Sequence, residues 1–365
     1  MYYPSGDLPI SHPVRRLSIA TAVLLGTLVF GQRTDAQTLT FSLFERYLDA
    51  FRLEAGIPGM SATVVQNGVV LWEHGFGRRD IEAALPATPD TPYLIGGLSQ
   101  AFGATLLLRK CVDEGIANLN DPVSRLIPSY PEPQTTLNQL LSHTAPGGGS
   151  YQYSPGRFAA LTPAIEACTA VPYRALVAFE LFDRFAMLDS APDQVMATPT
   201  AQDTDWFDTG RLMHYAQVIG RMATPYRIAS GRAQRNVDMP PHRADSSDGI
   251  ISSVRDLARF DSALGANVLL APATRTMAWT QAFAGSTPLP TGLGWFVQNY
   301  NGEPIVWQFG LIRGSHSSLI VKAPNRGLTF IILANSDGLS APFALESGDV
   351  RASLFATLFL RMFVP

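Results

Sequence analysis

Lysine is nearly absent from this 365-residue chain, which holds only Lys110 and Lys322 among its 27 basic side chains. Positions 107 and 319, three residues before each lysine, are both Leu, so no register anywhere yields a Ser-x-x-Lys pair. Cysteine is equally scarce. Cys111 and Cys168 lie in helical patterns and are no disulfide framework; a bond between them and two buried free thiols both remain open. No CxxC, HxH or HExxH spacing occurs, so no metal or cofactor is expected. Charge is low, 16% of residues with a net of −3, which leaves no basic footprint for nucleic acid. The N-terminal apolar run, LSIATAVLLGTLVF, is 14 residues long. A membrane span takes roughly 20. With Arg15 and Arg16 before it and Thr34-Asp35-Ala36 after it, the run reads as an export signal over residues 1–36, cleaved near Ala36. The mature chain, 37–365, is then secreted or periplasmic with no membrane span; an uncleaved anchor is the alternative.

What is present is apolar and patterned. A hydrophobic fraction of 46% supports a large core. Residues 39–55 follow a helical period and stop at Gly56 and Pro58. Two β-rich runs then flank Asn67-Gly68, a turn whose central residues both need positive φ. The same Asn-Gly signal recurs at Asn301-Gly302 between GWFVQNY and EPIVWQFG, and HSSLIVKA–PNRG–LTFIILAN reads as a third hairpin. The middle of the chain is mostly helical patches. Residues 192–247, rich in Pro, Asp and Thr, read as a long ordered loop region with one short helix near 212–222. The closing VRASLFATLFLRMF is an amphipathic helix. Strands near both ends with helices between them predict an α+β fold. Its antiparallel sheet is built from about 60–77 and 292–335, with flanking terminal helices and an inserted helical subdomain over about 92–260. Residues 37–365 form one module.

Several stretches, in order, carry a family likeness: IPGMSATVVQNG, DEGIANLNDPVSRLIPSYP, LNQLLSHTAPG, SSDGIISSVRDLARF and GSHSSLIVKAPNRGLTFIILANSDG. Through them the chain resembles the serine β-lactamase / penicillin-binding-protein-like superfamily, especially its class C β-lactamase and esterase branch, over nearly all of residues 40–362. The resemblance implies a β-lactamase/transpeptidase-like fold and three motifs around one cleft: Ser-x-x-Lys, Tyr-x-Asn, and Lys- or His-x-Gly. A serine hydroxyl attacks only when a neighbouring base takes its proton, and the lysine of the first motif does that.

The same alignment places Gly97 at the nucleophile and Gln100 at the base, in LIGGLSQAF. Gly has no atom to acylate, and a Gln amide accepts no proton near neutrality. The second motif becomes Tyr153-Ser154-Pro155 and the third Gln308-Phe309-Gly310. Tyr153 is the sole catalytic side chain retained. By carry-over, the amides of Gly97 and Leu311 form the oxyanion hole, and Gly97, Gln100, Pro155, Gln308, Gly310 and Leu311 belong to the cleft. Between SHTAPG and Tyr153 the chain is short, which predicts a cleft more open, or collapsed, on that side.

Other side chains are expected to be structural. Ser99 should point away from the cleft, because two helical residues span about 200°. His143 should orient the loop before the cleft. A Ser315–His316 pair is not expected, since neighbours along a strand face opposite ways. Gln100 and Gln308 are candidates for a neutral hydrogen-bonded pair across the old site. The reading is an exported pseudoenzyme whose cleft takes an unknown small molecule, peptide or protein, or serves as a scaffold. The alternative is an active esterase, β-lactamase or peptidase-like enzyme with displaced chemistry around Tyr153.

Overall fold

The computed structural model describes residues 20–365, with side chains from residue 37 onward. The expected export signal, residues 1–36, lies outside the residues described at side-chain level. By contacts the chain divides into Met1–Glu45 and Arg46–Pro365. Helix α1, Ala20–Glu54, is the described part of the first unit and runs on into the second. No helix among the described residues is long and apolar enough to cross a membrane.

The second unit is built on seven strands: β1 Gly59–Gln66, β2 Val69–Asp80, β3 Leu85–Pro86, β4 Phe296–Tyr300, β5 Glu303–Ile312, β6 His316–Ala323 and β7 Leu328–Ala334. They form one antiparallel sheet in the order β4-β5-β6-β7-β1-β2-β3. Thus β1 from the start of the fold pairs with β7 from its end, Val64 opposite Phe330, and the expected α+β architecture is observed. All three expected hairpins form. Asn67 and Gly68 close the first at φ 50° and 79°, and Asn301 and Gly302 close the second at 52° and 85°, the positive pair that a tight hairpin turn needs.

The central strands are buried along almost their whole length because both faces of the sheet are covered. Every residue of Leu328–Ala334 is buried. On one face Phe330 stacks on Phe359 of the terminal helix, α6 Leu354–Phe363, with ring centroids 5.2 Å apart. On the other, Ile331 and Leu333 join the cluster containing α2, Ser99–Leu107, and α5, Val254–Gly265. Stacking of Phe102 on Phe260 at 4.1 Å ties those two helices together. All nine residues of α2 are buried, so the helix that carries Gln100 is a central element of the fold.

The middle of the chain holds more order than its composition predicts. The helix expected near 212–222 is α4, Thr209–Gly220, started by Asp208, whose side chain accepts from the Arg211 amide. A further hairpin, Tyr226–Ala229 with Arg232–Arg235, was not expected. Its turn is Ser230-Gly231, both at positive φ. Cys111 and Cys168 are disulfide-bonded, Cα atoms 5.6 Å apart, which joins the segment running on from α2 to α3, Leu161–Thr169.

Candidate functional site

The site forms where the start of α2 meets the outer half of β5. β4 pairs only with Glu303–Trp307 of β5, so residues from Gln308 onward are left as an edge. The turn Gly96–Leu98 packs against that edge. Gly310 permits the approach: a Cβ there would lie 1.9 Å from the Ile95 carbonyl oxygen and 2.5 Å from Ser318 Oγ. The Ser318 hydroxyl donates to the same Ile95 carbonyl at 2.7 Å and fixes the contact. Gly96, at φ 55°, supplies the left-handed residue that turns the chain into the helix.

Gly97, Tyr153, Pro155 and Leu311 line a cleft of about 280 Å³, together with Ser247, Asp248, Phe309, Arg313 and Glu346. Gln100, Gln308 and Gly310, which the resemblance assigns to the cleft, lie behind it. Gln100 and Gln308 are buried, and they face each other. Gln308 Nε2 donates to Gln100 Oε1 at 3.3 Å and to the Gly294 carbonyl at 3.1 Å. The neutral pair expected from the sequence is present. Uncharged amides that satisfy one another need no solvent, and this lets them recede from the surface.

His143 completes the network. Its Nδ1 accepts from the Ser154 amide at 3.2 Å, so the ring proton sits on Nε2 and is donated to Gln100 Oε1 at 3.0 Å. Burial pushes His143 down to about 3, and the nearby Arg157 guanidinium acts in the same direction. The ring is therefore neutral across the physiological range. Gln100 Nε2 in turn donates to Tyr153 Oη at 3.2 Å. Desolvation pushes the Tyr153 phenol above its ordinary value, and the Gln100 bond offsets only part of this. Tyr153 packs between Phe309, His143 and Phe296, at 5.4, 4.7 and 6.0 Å between centroids.

The hydroxyl of Tyr153 also occupies the space a side chain at position 97 would use. A Cβ built on Gly97 would meet Tyr153 Oη at 2.9 Å and the Phe309 carbonyl oxygen at 3.0 Å. The loop before Tyr153 is short and folds back on itself through the Thr144–Tyr151 bridge. Tyr151 Oη donates to the Glu346 carbonyl at 2.7 Å and closes that side of the cleft. Pro155 opens a one-turn helix, Pro155–Phe158, at the place where an Asn amide was sought.

Of the residues set aside as structural, Ser99 is buried and its Oγ accepts from the Ile250 amide at 3.4 Å. The expectation for Ser315 and His316 is corrected. Ser315 lies in the turn before β6, not in the strand, so alternation does not separate the two side chains. Ser315 Oγ donates to His316 Nδ1 at 2.6 Å while His316 Nε2 donates to the Ala223 carbonyl at 3.1 Å. Both residues are fully buried, and burial pushes His316 down to about 4.

The charged rim was not anticipated. Asp248 pairs with His242 at 3.2 Å and holds that imidazole above its usual range. Arg313 is exposed and makes no ion pair among the described residues. These side chains come from loops far apart in sequence, and only the folded chain brings them together. Among the described residues no cluster suited to a metal ion is found.

A family model described as Beta-lactamase matches residues 43–352. Protein flp of Staphylococcus aureus (strain NCTC 8325 / PS 47) is 36% identical over 95 residues, 24% of this chain and 19% of that protein. The chain thus aligns with about a fifth of that relative's length. Among solved structures, the octameric penicillin-binding protein homologue from Pyrococcus abyssi superposes with a TM-score of 0.68 at 20% identity, over 88% of this chain and 77% of that one. A class C beta-lactamase from Rhodobacter sphaeroides gives 0.64 at 18% identity, over 90% and 99%. At these identities the likeness is one of fold.

Proposed function

We propose, from the premise that this chain belongs to the beta-lactamase family, that it is a pseudoenzyme of the serine-hydrolase superfamily whose cleft binds without acylating. One observation carries the reading. At the start of α2 the space for a nucleophile is taken by Tyr153 Oη, and the place for a base is a Gln100 amide already committed to His143, Gln308 and Tyr153. Proton abstraction needs a group that is basic near neutrality. Here the amides are not, and the phenol is pushed away from ionisation.

The cleft retains means of binding. Gly97 and Leu311, whose amides the resemblance assigns to an oxyanion hole, still line it beside the Arg313 cation, with the Asp248 and Glu346 carboxylates opposite in charge. That combination suits a small ligand bearing both a carboxyl and an amine. Removing nucleophile and base from such a site typically leaves a residual ~10³–10⁴-fold effect from the hole and binding alone. Export, on the strength of Arg15-Arg16 and the apolar run after them, belongs to the same proposal.

The test is turnover of a chromogenic cephalosporin and of short-chain aryl esters by the purified protein. No turnover beyond that residual effect, and no acyl-enzyme burst, is expected. Turnover that persists in Ser99→Ala and vanishes in Tyr153→Phe would replace this reading with displaced chemistry at Tyr153.

A further inference from the structure

The other end of β5 borders a second cavity, of about 670 Å³. Val306 lines it while Leu311 lines the cleft, five strand residues or about 17 Å away. Its floor holds Lys322, one of two lysines in the chain, only 3% exposed. Lys322 is ion-paired with Asp261 and reaches Thr329 Oγ1 at 3.4 Å. The wall holds Trp279, with the Lys322 ammonium and the Arg275 guanidinium each 5.1 Å from its ring centroid.

Two features of this cavity are unbalanced. Its charged lining is two cations, Arg275 and Lys322, against one carboxylate, Asp261. Two donors on its lining residues, Trp279 Nε1 and Arg275 Nε, are buried with no acceptor among the described residues. Buried donors without partners are rare in folded proteins, and each is destabilising unless a water or ion completes it. A dipolar water would satisfy a donor but leave the charge excess. An anion satisfies both.

We propose that this cavity is a binding site for a small anionic ligand, a carboxylate or phosphate group, received by Arg275, Trp279 Nε1–H and Lys322. The cavity volume leaves room beyond the anionic group for an organic body of metabolite size. Arg275 supplies the flat fork of donors that suits either kind of oxyanion. Trp279 adds a directional donor, and Asp261 keeps Lys322 positioned.

The experiment titrates the purified full chain with sodium acetate, sodium citrate and inorganic phosphate, each against sodium chloride at matched ionic strength. Tryptophan fluorescence and thermal unfolding are the readouts. Saturable binding of at least one anion is expected, and comparison of acetate and citrate with phosphate identifies the preferred group. Arg275→Gln and Trp279→Phe, which spare the buried Lys322–Asp261 pair, should each weaken binding by about tenfold, the size of a lost charged hydrogen bond. Arg313→Gln, in the cleft, should leave it unchanged. The proposal is overturned by a response no greater than that to chloride for all three anions. It is also overturned if binding survives both cavity variants, or if it is lost in Arg313→Gln instead.

Discussion

Gln308 Nε2 lies 3.3 Å from Gln100 Oε1, and this bond joins strand β5 to the buried helix behind the cleft. The same oxygen accepts from His143 Nε2, so one amide holds strand, helix and loop together. Removing either partner strands the other in an interior without water. A double-mutant cycle of Gln100→Ala and Gln308→Ala should therefore show a coupling of about 0.5–1.5 kcal/mol in denaturant unfolding. Additive losses would mean that the two amides do not act as a pair.

Position 97 should resist even one methyl group. Gly97→Ala places Cβ against Tyr153 Oη and the Phe309 carbonyl and should destabilise the protein by roughly 1–3 kcal/mol, the range for overpacking. Tyr153→Phe removes the oxygen that the methyl meets. The alanine should then cost measurably less in the Tyr153→Phe background than alone. An equal cost in both backgrounds would show that the hydroxyl does not fill the site.

Much of this was legible in the chain, for local reasons. Two Asn-Gly turns between β-rich runs placed four strands, because few residue pairs accept positive φ twice in succession. The absence of Ser-x-x-Lys needed no structure, since only two lysines had to be checked. The pairing of Gln100 with Gln308 could be foreseen because the resemblance brings both positions to one site. Legibility stopped where contacts are long-range or turns are weakly marked. Nothing local in SHTAPG or YSP shows that Tyr153 covers Gly97, or that Ser154 fixes the His143 tautomer. The hairpin at Tyr226–Arg235 was hidden because its strands are short and rich in arginine. Ser315 was assigned to a strand that begins one residue later, and that single residue decided whether it could reach His316.

Acid should undo the buried imidazoles. His143 is lowered from 6.5 to about 3, so between those values the unfolded chain takes the proton and the folded one does not. Its contribution is complete above about pH 6.5 and is lost as pH falls toward 3. At about 1.4 kcal/mol per pH unit, the whole span is worth roughly 4–5 kcal/mol. His316, lowered to about 4, acts in the same direction. Urea unfolding of the wild type should lose stability between pH 7 and 4.5, and His143→Gln should lose less over the same interval. Parallel curves for the two proteins would remove His143 as a cause.

The bond between Cys111 and Cys168 closes a separation of 57 residues. Chain-entropy arithmetic for a loop of that size gives about 4 kcal/mol, and measured losses for removed disulfides run from about 2 to 5. The Cys111→Ser/Cys168→Ser double variant should therefore unfold at clearly lower temperature than the oxidised protein. Identical unfolding of wild type and variant, with the wild-type bond verified by mass, would contradict that contribution.

The central claim is that the cleft binds without forming a covalent bond, and intact mass tests it most directly. The purified protein is incubated with a penicillin and, separately, with a fluorophosphonate that labels activated serines, and is then weighed by mass spectrometry. The account predicts an unchanged mass in both cases. A stoichiometric adduct on the unaltered chain would contradict it.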